Sequence, residues 1–183
     1  MLRVISGSAK GRKLACPPGK TTRPPTDMLK VAVFNILGPR VAGARVLDLF
    51  AGCGAFGIEA LSRGASFCLF VDQSRPALQV LQENLAHVGL SGQAEARCRD
   101  AARLAPTLGE DRFDLIFLDP PFALAWTEES LAALCAIVRD CLALRAPAGT
   151  LLLRLPRKRK LRPDLPEPSD LRAYGDSEVW FYS

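Results

Sequence analysis

No apolar run in this 183-residue chain approaches the roughly 18 residues that a membrane-spanning helix needs. Met1-Leu2-Arg3 leads into no signal-peptide core, so the expected location is the cytoplasm, away from any membrane. Histidine is almost missing. The single one, His87, sits just before Gly89 with no partner nearby in sequence, which leaves no histidine-based acid–base machinery to expect. The six cysteines (16, 53, 68, 98, 135 and 141) show no Cys-x-x-Cys spacing. They read as small hydrophobes in a reducing compartment, with neither a disulfide framework nor a metal site. A P-loop is also lacking: Gly19-Lys20-Thr21 resembles the end of one, but the required first glycine falls on Leu14. Repeats and a second domain are absent, and a 49% apolar fraction is enough for one ordinary core.

Acid is scarce at the N-terminus. Residues 1–45 hold nine Lys/Arg against one acid, Asp27, and residues 154–163 hold six against none. Between them, residues 46–153 carry eight basic residues against thirteen acids. An acidic middle flanked by basic segments is the footprint of a phosphate-backbone binder. Arg3, Lys10, Arg12, Lys13 and Arg23 are the candidate RNA contacts. For 154–163, a solvated loop is an equal alternative.

What is present in the middle is chemistry. The apolar strand Phe113–Leu118 runs into Asp119-Pro120-Pro121-Phe122. The prolines have no N–H, so this loop offers acceptors and few donors. That suits the exocyclic amino group of a planar base: Phe122 stacks on the ring while Asp119 and a proline carbonyl accept the two N–H bonds. About 70 residues earlier, the strand ending at Asp48–Phe50 enters a turn with glycines at 52, 54 and 57, a G-x-G-x-x-G pattern. Asp72 ends the next strand, 20 residues after Gly52, where an acid binds ribose hydroxyls. The loop is compatible with NAD or S-adenosylmethionine. Asp48 favours the latter, because a carboxylate repels a pyrophosphate and attracts a cationic methionine end.

These residues, with Arg3–Gly7, Lys10–Leu14, Thr22-Arg23-Pro24 with Asp27, Phe34–Leu37 and Glu59–Ala65, resemble the class I S-adenosylmethionine-dependent methyltransferases. Within them the chain is similar to the bacterial 16S ribosomal RNA guanine-N2 methyltransferases. Met28 and Val31 depart from that pattern, where relatives usually carry Arg and Glu, as does Cys53, where Ser is common. The resemblance implies S-adenosylmethionine as cofactor and S-adenosylhomocysteine as product, without a metal. It also implies a monomer acting on 16S rRNA, the small ribosomal subunit or its assembly intermediate. It places Asp48, Phe50, Ala51, Gly52, Gly54, Asp72, Gln73, Asp100, Ala101 and Asp119 at the cofactor, and Asp119, Pro120, Pro121 and Phe122 at the reacting amino group. Guanine and 16S RNA come from the resemblance alone. The motif equally admits adenine N6, DNA or another RNA, and a non-catalytic RNA-binding assembly protein competes.

The expected architecture is α/β and Rossmann-like: a seven-stranded, mostly parallel sheet with helices on both faces. A basic arm, 1–25, with a small hairpin, precedes one domain, 26–183. Strands are expected at 45–49, 67–72, 94–98, 113–118 and 149–155, then a closing hairpin over 171–174 and 178–182. Helices are expected at 27–37, 54–63, 75–88, 101–108 and 127–145, alternating with the strands as βαβ units.

Overall fold

Short apolar strands alternate with capped helices along most of the chain, and the sheet follows from that alternation. The computed structural model describes residues 2–16, 25–104, 107–108, 112–159, 161 and 163–183. The strands are β1 (Leu2–Arg3), β2 (Lys13–Leu14), β3 (Arg45–Leu49), β4 (Phe67–Asp72), β5 (Ala94–Cys98), β6 (Phe113–Leu118), β7 (Arg145–Pro156), β8 (Asp170–Tyr174) and β9 (Ser177–Tyr182). The helices are α1 (Asp27–Leu37), α2 (Gly57–Ser62), α3 (Arg75–Val88) and α4 (Glu128–Ala143).

The main sheet has seven strands in the order β5-β4-β3-β6-β7-β9-β8. The first five pair in parallel. β9 runs antiparallel to both β7 and β8, so it alone is reversed. Strand order turns back at β3, which pairs with β4 on one side and β6 on the other. Ligands in such sheets bind beyond the carboxyl ends of the strands at this switch point.

Alternate side chains along each strand enter opposite cores. Val46, Cys68, Phe70, Leu115, Phe117 and Leu152 pack with α1, α2 and α3. Leu47, Leu49, Leu69, Val71, Ile116, Leu118 and Leu153 pack with α4. Side-chain caps fix three helix starts: Thr26 accepts from the Leu29 N–H, Ser74 from Ala77 and Thr127 from Ser130. Gly89, left-handed, ends α3.

Three expectations shift. Residues 54–56 form turns, so α2 begins at Gly57. Where a helix is expected over 101–108, Ala101–Arg103 is a 3-10 turn opened by an Asp100 cap, and residues 105 and 106 lie outside the described residues. β7 starts at Arg145, with its register broken between Phe113 and Leu115 on β6. Among the described residues, no helix is long and apolar enough to cross a membrane.

The start of the chain is not a free arm over residues 2–16. Leu2, Val4, Ala9 and Leu14 belong to the same core as α1, α2 and α3. A buried carboxylate docks it. Glu59, fully buried, accepts from the backbone N–H groups of Ile5 (2.8 Å) and Ser6 (3.0 Å). It also pairs with Lys30 (3.4 Å) and Arg63 (2.8 Å). Lys30, equally buried, donates to the Arg3 carbonyl as well. Burial lowers the Lys30 pKa, and Glu59 partly offsets it. Gly7 lies so close to α2 that a Cβ there would come within 1.7 Å of the Ser62 carbonyl oxygen.

Candidate active site

The carboxyl ends of β3, β4, β5 and β6 gather the expected residues at one edge of the sheet. Phe50, Asp72, Gln73, Asp100 and Ala101 line one cavity of about 230 Å³, together with Val71, Arg99, Leu124, Leu134 and Ile137. That volume lies below the roughly 300 Å³ lower bound of ordinary ligand pockets. It takes one ring system, with apolar walls for a flat face and carboxylates for hydroxyls or amines.

The glycine-rich turn is built by strain and close packing. Phe50 has φ 58, the one non-glycine residue at positive φ among those described. Such a residue costs about 1–3 kcal/mol and persists where the surroundings impose it. Gly52 turns the chain, and its N–H donates to Asp72 Oδ2 at 2.8 Å. The other Asp72 oxygen accepts from the Ser74 N–H, also at 2.8 Å. Ala51 is buried, its N–H given to the Val71 carbonyl. Gly54 and Gly57 answer to the interior. A Cβ on Gly54 would meet Leu81 at 2.4 Å, and one on Gly57 would meet the Phe70 ring at 2.3 Å. At Gly54 the packing of Leu81 and Ile58 already excludes a side chain, whatever ligand the turn faces.

Asp48 also departs from its expected place. It is only 1% exposed, and its Oδ2 accepts from the Gly57 N–H at 2.8 Å, so it fixes the start of α2. Burial pushes its pKa well above the carboxylate range, and the charges of Asp119 and Asp72 add to that. It is a buried strut behind the loop, not an open anion facing a cationic ligand.

At the end of β6, Asp119 is half-buried, Pro120 buried, and Pro121 and Phe122 half-buried. A 3-10 turn, Phe122–Ala125, follows. Asp119 has a partner that charge counting along the sequence misassigns. Arg154 Nη1 reaches both carboxylate oxygens, at 3.0 and 3.1 Å. Its guanidinium carbon stands 4.9 Å from the Phe122 ring centroid, and its Nε donates to Ser177 Oγ at 3.1 Å. Burial raises the Asp119 pKa, and Arg154 opposes the rise by charge and hydrogen bond.

The basic stretch 154–163 thus comes apart. Arg154 is buried at Asp119, while Arg159 pairs with Glu178 (2.6 Å) and stacks on Trp180. Arg157 and Lys158 are exposed, and 160 and 162 lie outside the described residues. Of the candidate RNA contacts, Lys10, Arg12 and Lys13 are exposed, between the β1–β2 turn and the start of β2. Arg3 pairs with Asp27 (2.8 Å), Arg12 donates to the His87 carbonyl (3.0 Å), and Arg23 lies outside the described residues. Asn84 ties the Ala15 backbone to the Cys53 carbonyl, which brings Cys16 Sγ within 2.9 Å of Cys53 Sγ. Nothing in the cysteine spacing foretells that contact. Among the described residues no cluster of three His, Cys, Asp or Glu is placed to hold a metal ion.

A sheet of this order, with an acceptor-rich Asp-Pro-Pro-Phe loop beside a strained glycine turn, defines a Rossmann-like class I methyltransferase fold. The chain belongs to the family described as Conserved hypothetical protein 95, which matches residues 2–183. It is 46% identical over 141 residues to the YlbH protein of Bacillus subtilis (strain 168), covering 76% of this chain and 74% of that protein. Ribosomal RNA small subunit methyltransferase D of Escherichia coli (strain K12) is 37% identical over 130 residues, 71% of this chain and 65% of that protein's length. A hypothetical protein of Thermus thermophilus superposes with a TM-score of 0.82 at 30% identity, covering 100% of this chain and 99% of the other.

Proposed function

We propose that this protein transfers the methyl group of S-adenosylmethionine to the exocyclic N2 amino group of a guanine in small-subunit (16S) ribosomal RNA. It acts as a cytoplasmic monomer without a metal, on the small subunit or its assembly intermediate. One observation carries the reading: Asp119-Pro120-Pro121-Phe122 closes the strand that neighbours the glycine-rich turn at the switch point of the sheet. The name of the E. coli relative supports the substrate class.

The residues fit the cofactor. Asp72 anchors the turn through Gly52 and keeps oxygen lone pairs for ribose hydroxyls. Asp100 and Ala101 close the cavity where an adenine ring would lie. Bound S-adenosylmethionine supplies an electrophilic methyl on a sulfonium. A base amino group is a poor nucleophile, because its lone pair is delocalised into the ring. Asp119 and the Pro120 carbonyl accept its two N–H bonds and draw the nitrogen toward tetrahedral geometry. Phe122 stacks on the ring. Positioning of this kind supplies much of the rate. The base must be unpaired or flipped to enter, which a loop base in ribosomal RNA satisfies.

S-adenosylmethionine is expected to raise the thermal midpoint and NAD to leave it unchanged, since a ligand stabilises only the state that binds it. Asp72→Ala should weaken cofactor binding by roughly 1.5–3 kcal/mol in titration calorimetry, the range for hydrogen bonds to a charged group. Unchanged affinity would remove Asp72 from the site.

The exposed Lys10, Arg12 and Lys13 give the RNA reading its own test. If they neutralise phosphates, each lost contact lowers the slope of log K against log salt by about 0.7–0.9. The triple alanine variant is expected to need more RNA for half-maximal rate, with cofactor affinity unchanged. Wild-type methylation of particles by that variant across a salt titration would exclude this surface.

A further inference from the structure

Arg154 occupies a position that solubility does not explain. It lies on β7 among Leu151, Leu152, Leu153 and Leu155, all buried, and its own side chain is only 7% exposed. A guanidinium costs several kcal/mol to bury and is often replaceable by an apolar side chain without loss of stability. Here two of its nitrogens and its face are committed. Nη1 holds both Asp119 oxygens, Nε holds Ser177, and the plane lies against Phe122. Ser177 in turn donates to Asp176 Oδ1 at 3.1 Å, which fixes the far end of the guanidinium.

We propose that Arg154 is a positioning residue for methyl transfer: it fixes the Asp119 carboxylate and covers one face of Phe122, leaving the other face to the target base. This rests on the methyltransferase reading above. A carboxylate that swings or takes a proton accepts one N–H bond fewer. A guanidinium bonded to both oxygens prevents both. Each oxygen still keeps a lone pair for the amino group.

The surrounding charges set the expected pH behaviour. Asp119 faces Arg154 from β7, and the buried Asp48 of β3 senses both Asp119 and Asp72 of β4. Beyond Arg154 stand Asp176, joined through Ser177, and Glu178, paired with Arg159. Burial already favours the neutral acid, and Arg154 is the cation opposing it. Loss of an opposite charge at this range raises a carboxyl by about 1–3 pKa units.

The test is single-turnover methylation of small-subunit RNA against pH, with wild type, Arg154→Met, Arg154→Lys and Ser177→Ala. Carboxyl carbon resonances of Asp119 are titrated by NMR in the same proteins. For Arg154→Met the acid limb should move up by about 1–3 units, with roughly a tenfold rate loss per unit below it. The Asp119 resonance should shift in parallel, and cofactor affinity should hold. Arg154→Lys keeps a charge and should restore part of the limb. Ser177→Ala should lower the rate and leave the limb in place.

A wild-type rate and limb in Arg154→Met overturn the proposal. If that variant does not fold, a wild-type rate and carboxyl titration in both Arg154→Lys and Ser177→Ala overturn it instead. Failure of the methyltransferase reading looks different: wild type itself transfers no methyl, while the carboxyl titration still reports whether Arg154 sets the charge on Asp119.

Discussion

Asp119→Ala is expected to lower single-turnover methylation at least about 100-fold while S-adenosylmethionine still binds. The carboxylate and the Pro120 carbonyl are the acceptors at the end of β6, and Pro120 and Pro121 offer no donors in their place. Misplacing a reacting nitrogen by about 1 Å already costs on the order of 10² in rate. The cavity proposed for the cofactor is lined by β4, the turn after β5 and α4, with Phe50 from the glycine-rich turn and Leu124 from the turn after Phe122, and the Asp119 side chain is not part of that lining. Its affinity should therefore survive. Removing Asp119 also leaves Arg154 buried without its carboxylate, so a melting curve must accompany the assay. A folded variant with near-normal single-turnover methylation contradicts the amino-positioning mechanism.

Glu59→Ala is expected to destabilise the protein by about 3–5 kcal/mol, the cost of breaking a buried ion pair from one side. For a chain of this size that corresponds to roughly 6–20 °C in the thermal midpoint. Four donors lose their acceptor at once: the Ile5 and Ser6 amides, Lys30 and Arg63. Lys30 is left as an uncompensated buried cation. Adding Lys30→Met should recover part of the loss, because contacting residues are not additive. Hydrogen exchange at Ile5 and Ser6 should accelerate in the single variant. A midpoint within a degree or two of wild type would mean that the N-terminal segment does not depend on this carboxylate.

The parts legible in the sequence are those whose signal is local. α1 and α3 occupy the ranges expected for them, 27–37 and 75–88, and the parallel strands show as short apolar runs between turns. The cavity residues Phe50, Asp72, Gln73, Asp100 and Ala101 are legible because each lies at or just past a strand end, and the sheet gathers strand ends at one edge. What escapes depends on partners distant in sequence. Arg154 looks like the first member of a basic run. Its flanking leucines, continuing the strand to Pro156, are the available sign that its side chain is buried. Glu59 and Lys30 stand 29 residues apart, and nothing local marks either as buried. Asp48 reads as an acid beside a cationic ligand because it stands near a strand end, whereas the close seat of Gly57 on Phe70 draws the helix start over it. The segment 2–16 reads as an arm from its charge. Its apolar residues, Leu2, Val4, Ala9 and Leu14, are few, and they become a core only against α1, α2 and α3.

The central claim meets its most direct test in the nucleosides of ribosomal RNA. Small subunits from cells lacking this protein are incubated with the purified protein and S-adenosylmethionine, and their 16S RNA is digested and analysed by mass spectrometry. The account predicts that N2-methylguanosine appears, at one molar equivalent or less per particle, and that Asp119→Ala does not produce it. N6-methyladenosine in its place, or no new methylated nucleoside, would contradict it.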